Sequence, residues 1–266
     1  MCGKFTQLMP WREVHRLYAI HDETGDSGTP PGEAGGDGGE AEERVETATP
    51  MRSARIMVLD DLGRRRLVRM RWGFDKPGRG EPGRHRPLVV HARCETIDQL
   101  PTFRKAFLEG RRGVLLVATF NEGEEVPSSK PGGKPRTRQY VLTPNDKKPI
   151  PIAVIWNRFT AESGAPYLAF VMVTTANNAL IGTITPRMPA VLEQTDIGSW
   201  LGERMAGEEP PTAERLKAML KPMEGDWTMN PETPDPPAKP PRPPGAPKAS
   251  AARKTAKPRQ GGLFDL

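Results

Sequence analysis

The stretch KPIPIAVIW, residues 148–156, is followed by YLAFVMVTT, residues 167–175. Both runs are short, rich in β-branched and aromatic residues, and bounded by Pro, Gly, Asp or Asn, which is typical of β-strands. Four further runs have the same character: ARIMVLDD (54–61), RRRLVRMRWGF (64–74), GVLLVATF (113–120) and RQYVLTP (138–144). Strands therefore dominate the predicted domain.

Helical patterns are confined to four segments: 10–22, 96–110, 195–203 and 212–222. In the second of these, Thr96 and Gln99 fit a capping box, which predicts a helix that begins near Thr96. Because strands and helices do not alternate strictly, we predict an α+β fold built on a curved antiparallel sheet or barrel with a few flanking helices.

Two segments lack the large apolar residues that a core needs. Residues 23–48 are rich in Gly and acidic residues, and residues 223–266 are rich in Pro, Lys and Arg. Such compositions cannot bury enough surface to offset the entropy of ordering. We predict one domain over residues 2–222 that carries a flexible acidic insertion at 23–48, followed by a disordered tail from residue 223.

Composition narrows the class of protein. The formal net charge of +6 over 266 residues favours polyanionic partners. Two cysteines cannot form a disulfide framework or a metal site by themselves, so we expect a reducing compartment, no metal and no cofactor. No apolar run is long enough to cross a membrane and no signal peptide is apparent, so we expect a cytoplasmic monomer.

One of the two cysteines, Cys2, directly follows the initiator Met1. Removal of Met1 would give Cys2 a free α-amine beside its thiol. This 1,2-aminothiol could act as an N-terminal hydrolase nucleophile, with its own amine as the base. It could also trap an aldehyde, because the amine forms an imine on which the thiol closes to a thiazolidine ring. A chance residue at a frayed terminus is the third interpretation.

Five other residues suggest chemistry, and each also has a purely structural explanation. Trp72 and His91 could be core residues, and Cys94 is best explained as a small buried residue. Glu122 could be one of several solvated acids in a turn. Arg187 could be a surface ion-pair partner.

The motifs form a recognisable series: MCG (1–3), RWG (71–73), HARCET (91–96), TFNE (119–122), TTANN (174–178) and PRMP (186–189). Their order and spacing over about residues 2–222 resemble the SRAP family, the SOS response-associated peptidase-like proteins that sense abasic sites in single-stranded DNA. The resemblance implies a DNA-damage response protein whose exposed Cys2 forms a thiazolidine crosslink with the abasic aldehyde. It also implies that Glu122 moves protons, as a carboxyl with a raised pKa can.

This chain departs from the family pattern at several positions. His91 stands where the family has a catalytic Asn, and Thr185 stands where it has a catalytic His, so the resemblance implies a catalytic set of Cys2, Glu122, His91 and Thr185. The Trp that normally follows the glutamate is absent, as is a Trp expected soon after Trp72. Because base stacking on aromatic rings is worth about 1–3 kcal/mol per base, these losses predict weaker binding of single strands. Additional phosphate contacts could compensate, and the candidates are Arg79, Arg84 and Arg86.

The resemblance also implies a DNA-binding groove. Its members are Lys4, Pro50, Trp72, Arg93, Thr174 and Arg187. Lys4 replaces the usual Arg, which keeps the positive charge for a phosphate but loses the bidentate fork. Contacts of this kind hold the strand in position without reading its sequence.

The last residues of the tail contain Gln260, Leu263 and Phe264 in a Q-x-x-L-F arrangement. This arrangement resembles the motif that binds the bacterial sliding clamp, although so short a pattern also arises by chance in low-complexity tails. A clamp contact would hold the protein at replication forks within the nucleoid and raise its effective concentration on DNA.

Three hypotheses follow. The first is a DNA-repair protein that crosslinks Cys2 to abasic sites in single-stranded DNA. The second is a single-stranded-DNA-binding or replisome adaptor whose site has lost its activity. The third is an N-terminal cysteine autopeptidase or hydrolase, which ranks last because the sequence contains no oxyanion-hole signature.

Overall fold

A computed structural model describes residues 2–7, 11–21, 47–75, 88–128, 132–161, 163–204 and 207–233. Within these residues the helices are α1 (Trp11–Leu17), α2 (Pro101–Leu108), α3 (Ile197–Leu201) and α4 (Ala213–Ala218). The strands are β1 (Lys4–Thr6), β2 (Thr47–Ala48), β3 (Ser53–Leu59), β4 (Arg65–Trp72), β5 (Phe74–Asp75), β6 (Leu88–Val89), β7 (His91–Arg93), β8 (Arg112–Val117), β9 (Thr119–Val126), β10 (Arg136–Pro144), β11 (Ile150–Thr160), β12 (Pro166–Ala176), β13 (Arg187–Pro189) and β14 (Trp227–Pro231).

Five strands close into a barrel in the order β11-β8-β3-β4-β12, and pairing of β11 with β12 completes the circle. The predicted α+β barrel is thereby confirmed. Its expected antiparallel character holds for most pairs, but β12 pairs in parallel with β4 and with β7. At one end of the barrel, β7 and β13 lie on either side of β12.

The alternation of side chains along the barrel strands produces two cores. Side chains on one face of the barrel strands, including Ile56, Trp72 and Phe170, belong to a cluster that contains no residue of the four α-helices. Side chains on the opposite face of these strands, including Met57 and Val171, pack against residues of all four helices. Because successive side chains of a strand point to opposite faces, the first cluster fills the barrel and the second lies under the helices.

A second sheet, ordered β14-β10-β9-β1-β2, extends from the barrel. The chain crosses from β8 in the barrel to β9 in this sheet at Ala118. Both predicted domain boundaries change here. Strand β14 pairs with β10, so the compact unit ends at Thr233 and not at residue 222. Thr47 and Ala48, placed in the insertion by the sequence, form β2 and pair with β1.

The predicted capping box does not form. Cys94–Thr96 is a 3₁₀ turn, and α2 begins at Pro101 with Leu100 in the extended conformation (φ −71°, ψ 127°). A residue before proline is excluded from the helical region, whereas proline itself fits the first helical position. Pro101 therefore sets the start of α2.

Three longer segments lie outside the described residues: 22–46 over most of the insertion, 76–87 after β5, and 234–266 in the tail. The second contains Arg79, Arg84 and Arg86, and the third contains Gln260, Leu263 and Phe264. Among the residues that the structure describes, no helix is long and apolar enough to cross a membrane. The same residues contain no group of three or more His, Cys, Asp or Glu side chains that could hold a metal ion.

Candidate active site

Cys2 lies two residues before β1, which pairs with β2 on one side and with β9 on the other. Its side chain belongs to the cluster that fills the barrel, and only 1% of the residue is exposed. The thiol donates a hydrogen bond to the Lys4 carbonyl at 3.4 Å. The resemblance implied an exposed Cys2; the structure corrects this, because β9 and the barrel end cover the residue.

Burial raises the pKa of the Cys2 thiol well above its ordinary value, and the nearby negative charge of Glu122 raises it further. Both effects act against the thiolate, because a low-polarity surrounding and a neighbouring carboxylate each disfavour a second negative charge. At neutral pH the thiol is therefore protonated. A proton acceptor near it is a chemical requirement for any nucleophilic step.

Glu122 supplies a carboxyl at this place. It lies within β9, opposite Tyr140 of β10, and has no exposed surface. Glu122 is thus not a solvated acid in a turn, which was the structural explanation that the sequence offered. Burial raises its pKa, while the backbone N–H groups of Cys2 and Gly123 act in the opposite direction. A carboxyl with a raised pKa can both accept and return a proton near neutral pH.

His91 begins β7 and pairs with Met172 of β12. Its ring makes an edge contact with Trp72, with centroids 6.1 Å apart, and hydrogen-bonds to the backbone of Cys2. Burial lowers its pKa from 6.5 to about 4. Among the described residues, Nε2 of His91 has no hydrogen-bond partner. His91 is therefore neutral at physiological pH, and its Nε2 is a buried ring nitrogen without a partner in the described part of the chain.

The depressed pKa predicts a pH-dependent loss of stability. Between about pH 6.5 and 4 the unfolded chain binds a proton at His91 that the folded chain does not, so the folded state loses stability as the pH falls through this range. On acidification from pH 7.5 to 4.5, the wild type should lose roughly 2–3 kcal/mol more unfolding free energy than His91→Asn. Urea unfolding of both proteins at the two pH values measures this difference. Parallel pH profiles would show that His91 titrates normally.

Trp72 is fully buried, so the structure corrects its assignment to the DNA-binding groove. Its ring stacks on Phe170 at 6.3 Å and is tilted against Phe5 at 5.1 Å. Its indole N–H donates to the Val90 carbonyl at 3.0 Å. With no exposed surface, Trp72 cannot stack on a base. It supports the ring of His91 from inside the barrel.

Arg187 forms the surface ion pair that was one of its two explanations. Its guanidinium donates to both carboxylate oxygens of Glu95, at 2.6 and 2.9 Å, and to the Thr174 carbonyl at 2.7 Å. The carboxylate raises the pKa of Arg187 further. Thr174 is buried between β7 and β13, and its register partner Arg93 is exposed. A phosphate can bind the Arg187 guanidinium only after it displaces the Glu95 carboxylate.

The other predicted residues occupy varied positions. Lys4 forms an ion pair with Glu232, just beyond β14. Pro50 is half-buried in the turn between β2 and β3, whereas Thr185 is buried and its carbonyl accepts a hydrogen bond from Asn177 at 2.9 Å. Cys94 is a small buried residue, as predicted.

Three contributors to the site were missed. Glu95 and Glu232 neutralise two of the predicted phosphate ligands. Asn121 is buried beside Glu122 in β9, and its side-chain nitrogen has no partner among the described residues. The carboxylates gave no sequence signal, because their pairing joins distant segments. Asn121 could have been noticed from its position within F-N-E-G.

The structure combines a barrel and an attached antiparallel sheet with a cysteine at position 2 that lies against a buried glutamate. This combination defines a candidate N-terminal-cysteine protein. The family described as "SOS response associated peptidase (SRAP)" matches residues 1–232. This match covers most of the chain, and the chain therefore belongs to the SRAP family.

The chain is similar to curated proteins named for abasic sites. It is 24% identical over 228 residues to "Abasic site processing protein YoqW" of Bacillus subtilis (strain 168), covering 85% of this chain and 89% of the relative. It is 22% identical to "Abasic site processing protein YoaM" of the same organism, covering 85% and 88%.

Solved structures share the fold. A protein from Bordetella bronchiseptica superposes with a TM-score of 0.62 at 19% identity, covering 87% of this chain and all of the other. A phage-related protein from the same organism gives a TM-score of 0.58 at 20% identity, covering 86% and 93%. At these identities the likeness concerns the fold alone.

Proposed function

We propose that this protein acts on abasic sites in DNA damage and that, once Met1 is removed, Cys2 forms a thiazolidine crosslink with an abasic site in single-stranded DNA. The observation that carries the proposal is the position of the Cys2 thiol against the buried carboxyl of Glu122. Family membership and the names of the curated relatives support the abasic site as the substrate.

The reaction balances without a cofactor. The α-amine of Cys2 adds to the C1′ aldehyde of the ring-opened sugar, and loss of one water leaves an imine. The thiol sulfur then bonds to the imine carbon, and the thiol proton ends on the nitrogen. One C–N bond and one C–S bond form, one water leaves, and a five-membered thiazolidine ring remains.

Glu122 is the group that moves protons in this proposal. The backbone N–H of Cys2 already faces its carboxylate, and that nitrogen becomes the α-amine when Met1 is removed. A carboxyl there takes a proton from the attacking amine and returns one to the departing water. It also accepts the thiol proton, which the high pKa of Cys2 would otherwise retain.

His91 and Thr185 replace the family's Asn and His and take different roles. His91 is neutral and hydrogen-bonds to the Cys2 backbone, so it holds the nucleophile in position and offers Nε2 to the sugar. The Thr185 hydroxyl does not titrate near neutral pH and cannot replace a histidine as an acid or base. Reversal of the crosslink, which depends more on such groups, should therefore be slow.

DNA binding in this proposal requires an exchange of anions. A phosphate displaces Glu95 from Arg187 and Glu232 from Lys4, while Arg93 is exposed and ready for contact. Because each phosphate that a cationic side chain neutralises releases counterions from the DNA, binding should weaken as the salt concentration rises. The last part of the proposal is a contact with the sliding clamp, made by Gln260, Leu263 and Phe264.

A gel assay tests the proposed function. Purified protein is incubated with a single-stranded oligonucleotide that carries one abasic aldehyde and is then run under denaturing conditions. We expect a shifted band that is absent with the tetrahydrofuran analogue, which has no aldehyde.

The burial of Cys2 favours a second candidate, a DNA-binding adaptor without covalent chemistry. The same assay separates the two candidates. If the mature protein binds the abasic strand in native gels but leaves no band after denaturation, the crosslinking proposal is wrong and the adaptor takes its place.

A further inference from the structure

The turn between β2 and β3 has an unusual residue at its corner. The Arg52 N–H donates to the Thr49 carbonyl at 3.0 Å, Pro50 takes the second position, and Met51 takes the third with φ +75°. This is the arrangement of a type II turn, whose third position requires a positive φ and is normally Gly or Asn. A methionine here costs conformational free energy that a glycine would avoid.

The turn is held firmly against the barrel. The Met51 N–H donates to the Trp72 carbonyl, and the Trp72 N–H donates to the Arg52 carbonyl, both at 2.9 Å. The ring of Trp72 contacts His91 on its other side. The turn is thus tied through Trp72 to the candidate active site.

Strand register brings the turn close to Cys2. In the β1–β2 pair Phe5 lies opposite Ala48. Continuation of this antiparallel register brings Cys2, before Phe5, and Met51, after Ala48, to the same end of the strand pair. Yet the two side chains differ in exposure, because Cys2 is 1% exposed whereas Met51 is 54% exposed.

We propose that the Met51 side chain is an apolar platform for an unstacked base that flanks the abasic site. An exposed large apolar side chain in a conformation that disfavours it, at the same end of the strand pair as the reactive cysteine, is explained by ligand contact and not by folding. Its flexible, polarizable thioether suits contact with the face of any base. This inference rests on the proposed function and names the part of the DNA that the site contacts besides the sugar.

The charges around the turn fit a single strand. Arg52 follows Met51 and is exposed, and Arg93 is exposed at the end of β7, beyond His91. Cationic side chains beside an apolar platform are the combination that binds single strands, with phosphates on the cations and bases on the platform. Met51 therefore takes over stacking from the aromatic residues that this chain lacks.

Noncovalent affinities for two probes distinguish a contact with a base from a contact with a phosphate. One probe is a fluorescent single strand with a central tetrahydrofuran abasic analogue; in the other, the flanking nucleotides on both sides also lack their bases. We expect Met51→Ala to bind the first probe roughly tenfold more weakly, in line with the usual worth of base stacking, and to bind the base-free probe like the wild type.

Three further variants test whether the loss of affinity comes from the Met51 side chain itself. Met51→Gly suits the positive φ, so it should fold at least as well as the wild type and still lose the base-dependent affinity. Met51→Leu should keep it. Leu62→Ala removes an exposed apolar side chain (74% exposed) from the turn at the opposite end of β3, roughly 20 Å away, and should change neither affinity.

Two outcomes would overturn the inference: equal loss of affinity for both probes in Met51→Ala and Met51→Gly, or no loss in either variant. These probes carry no aldehyde, so the result does not depend on crosslinking. Base-dependent binding through Met51 by a wild type that forms no adduct would reject the crosslinking proposal and leave this inference standing.

Discussion

Cys2→Ala should form no covalent adduct with abasic single-stranded DNA, even after long incubation. The variant keeps the small side chain and lacks only the sulfur, so the imine that forms on its amine stays hydrolysable. Its noncovalent affinity for a tetrahydrofuran-containing strand should remain within about twofold of the wild type, because in this proposal the Cys2 sulfur contacts neither a phosphate nor a base. Denaturing gels and anisotropy on the same preparations measure both properties.

Cys94→Ala is the matched control, since Cys94 is the other cysteine of the chain and is also buried. It should crosslink at the rate of the wild type. A Cys2→Ala protein that still gives a gel-stable band without added reductant would assign the nucleophile to another residue and contradict the proposed chemistry.

Glu122→Gln should slow adduct formation by about 100- to 1,000-fold, the usual effect of removing a positioned acid–base group. The amide keeps the shape of the side chain but cannot take up the amine or thiol proton. Rates are measured by quenched gel assays under single-turnover conditions. Glu125→Gln lies three residues further along β9, is exposed, and should leave the rate unchanged.

Stability distinguishes this catalytic role from a structural one. Burial raises the pKa of Glu122 above its unfolded value, so the folded chain binds the proton more tightly and loses stability as the pH rises through this interval. At pH 7 the glutamine variant should therefore melt no lower than the wild type. A variant that crosslinks slowly and melts much lower would indicate that Glu122 mainly supports the fold.

The barrel strands could be predicted because each contains a run of apolar residues and is bounded by Pro, Gly, Asp or Asn. Strand β14 could not, since it lies among acidic and Pro-rich residues and owes its conformation to pairing with β10. The parallel pairing of β12 with β4 and β7 joins segments that are far apart in the sequence, and no local pattern encodes it. Local propensity predicted the strands, and their pairing followed from tertiary contacts.

The candidate site, like the fold, could be predicted only in part from the sequence. Motif order identified Cys2, Glu122 and His91, which the structure brings together. Burial of Cys2 was not predictable, because it depends on packing against residues that are distant in the sequence. The positive φ at Met51 was equally hidden, since nothing in A-T-P-M-R indicates that a methionine occupies a glycine-type position.

Intact mass spectrometry of the adduct tests the central proposal most directly. Purified protein is reacted with an abasic oligonucleotide, measured whole, and then digested to locate the attachment. We expect the mass of the chain without Met1 plus that of the oligonucleotide minus one water, with the DNA on the peptide that begins at Cys2. A chain that keeps Met1 and carries no DNA, or an adduct on an internal residue, would contradict it.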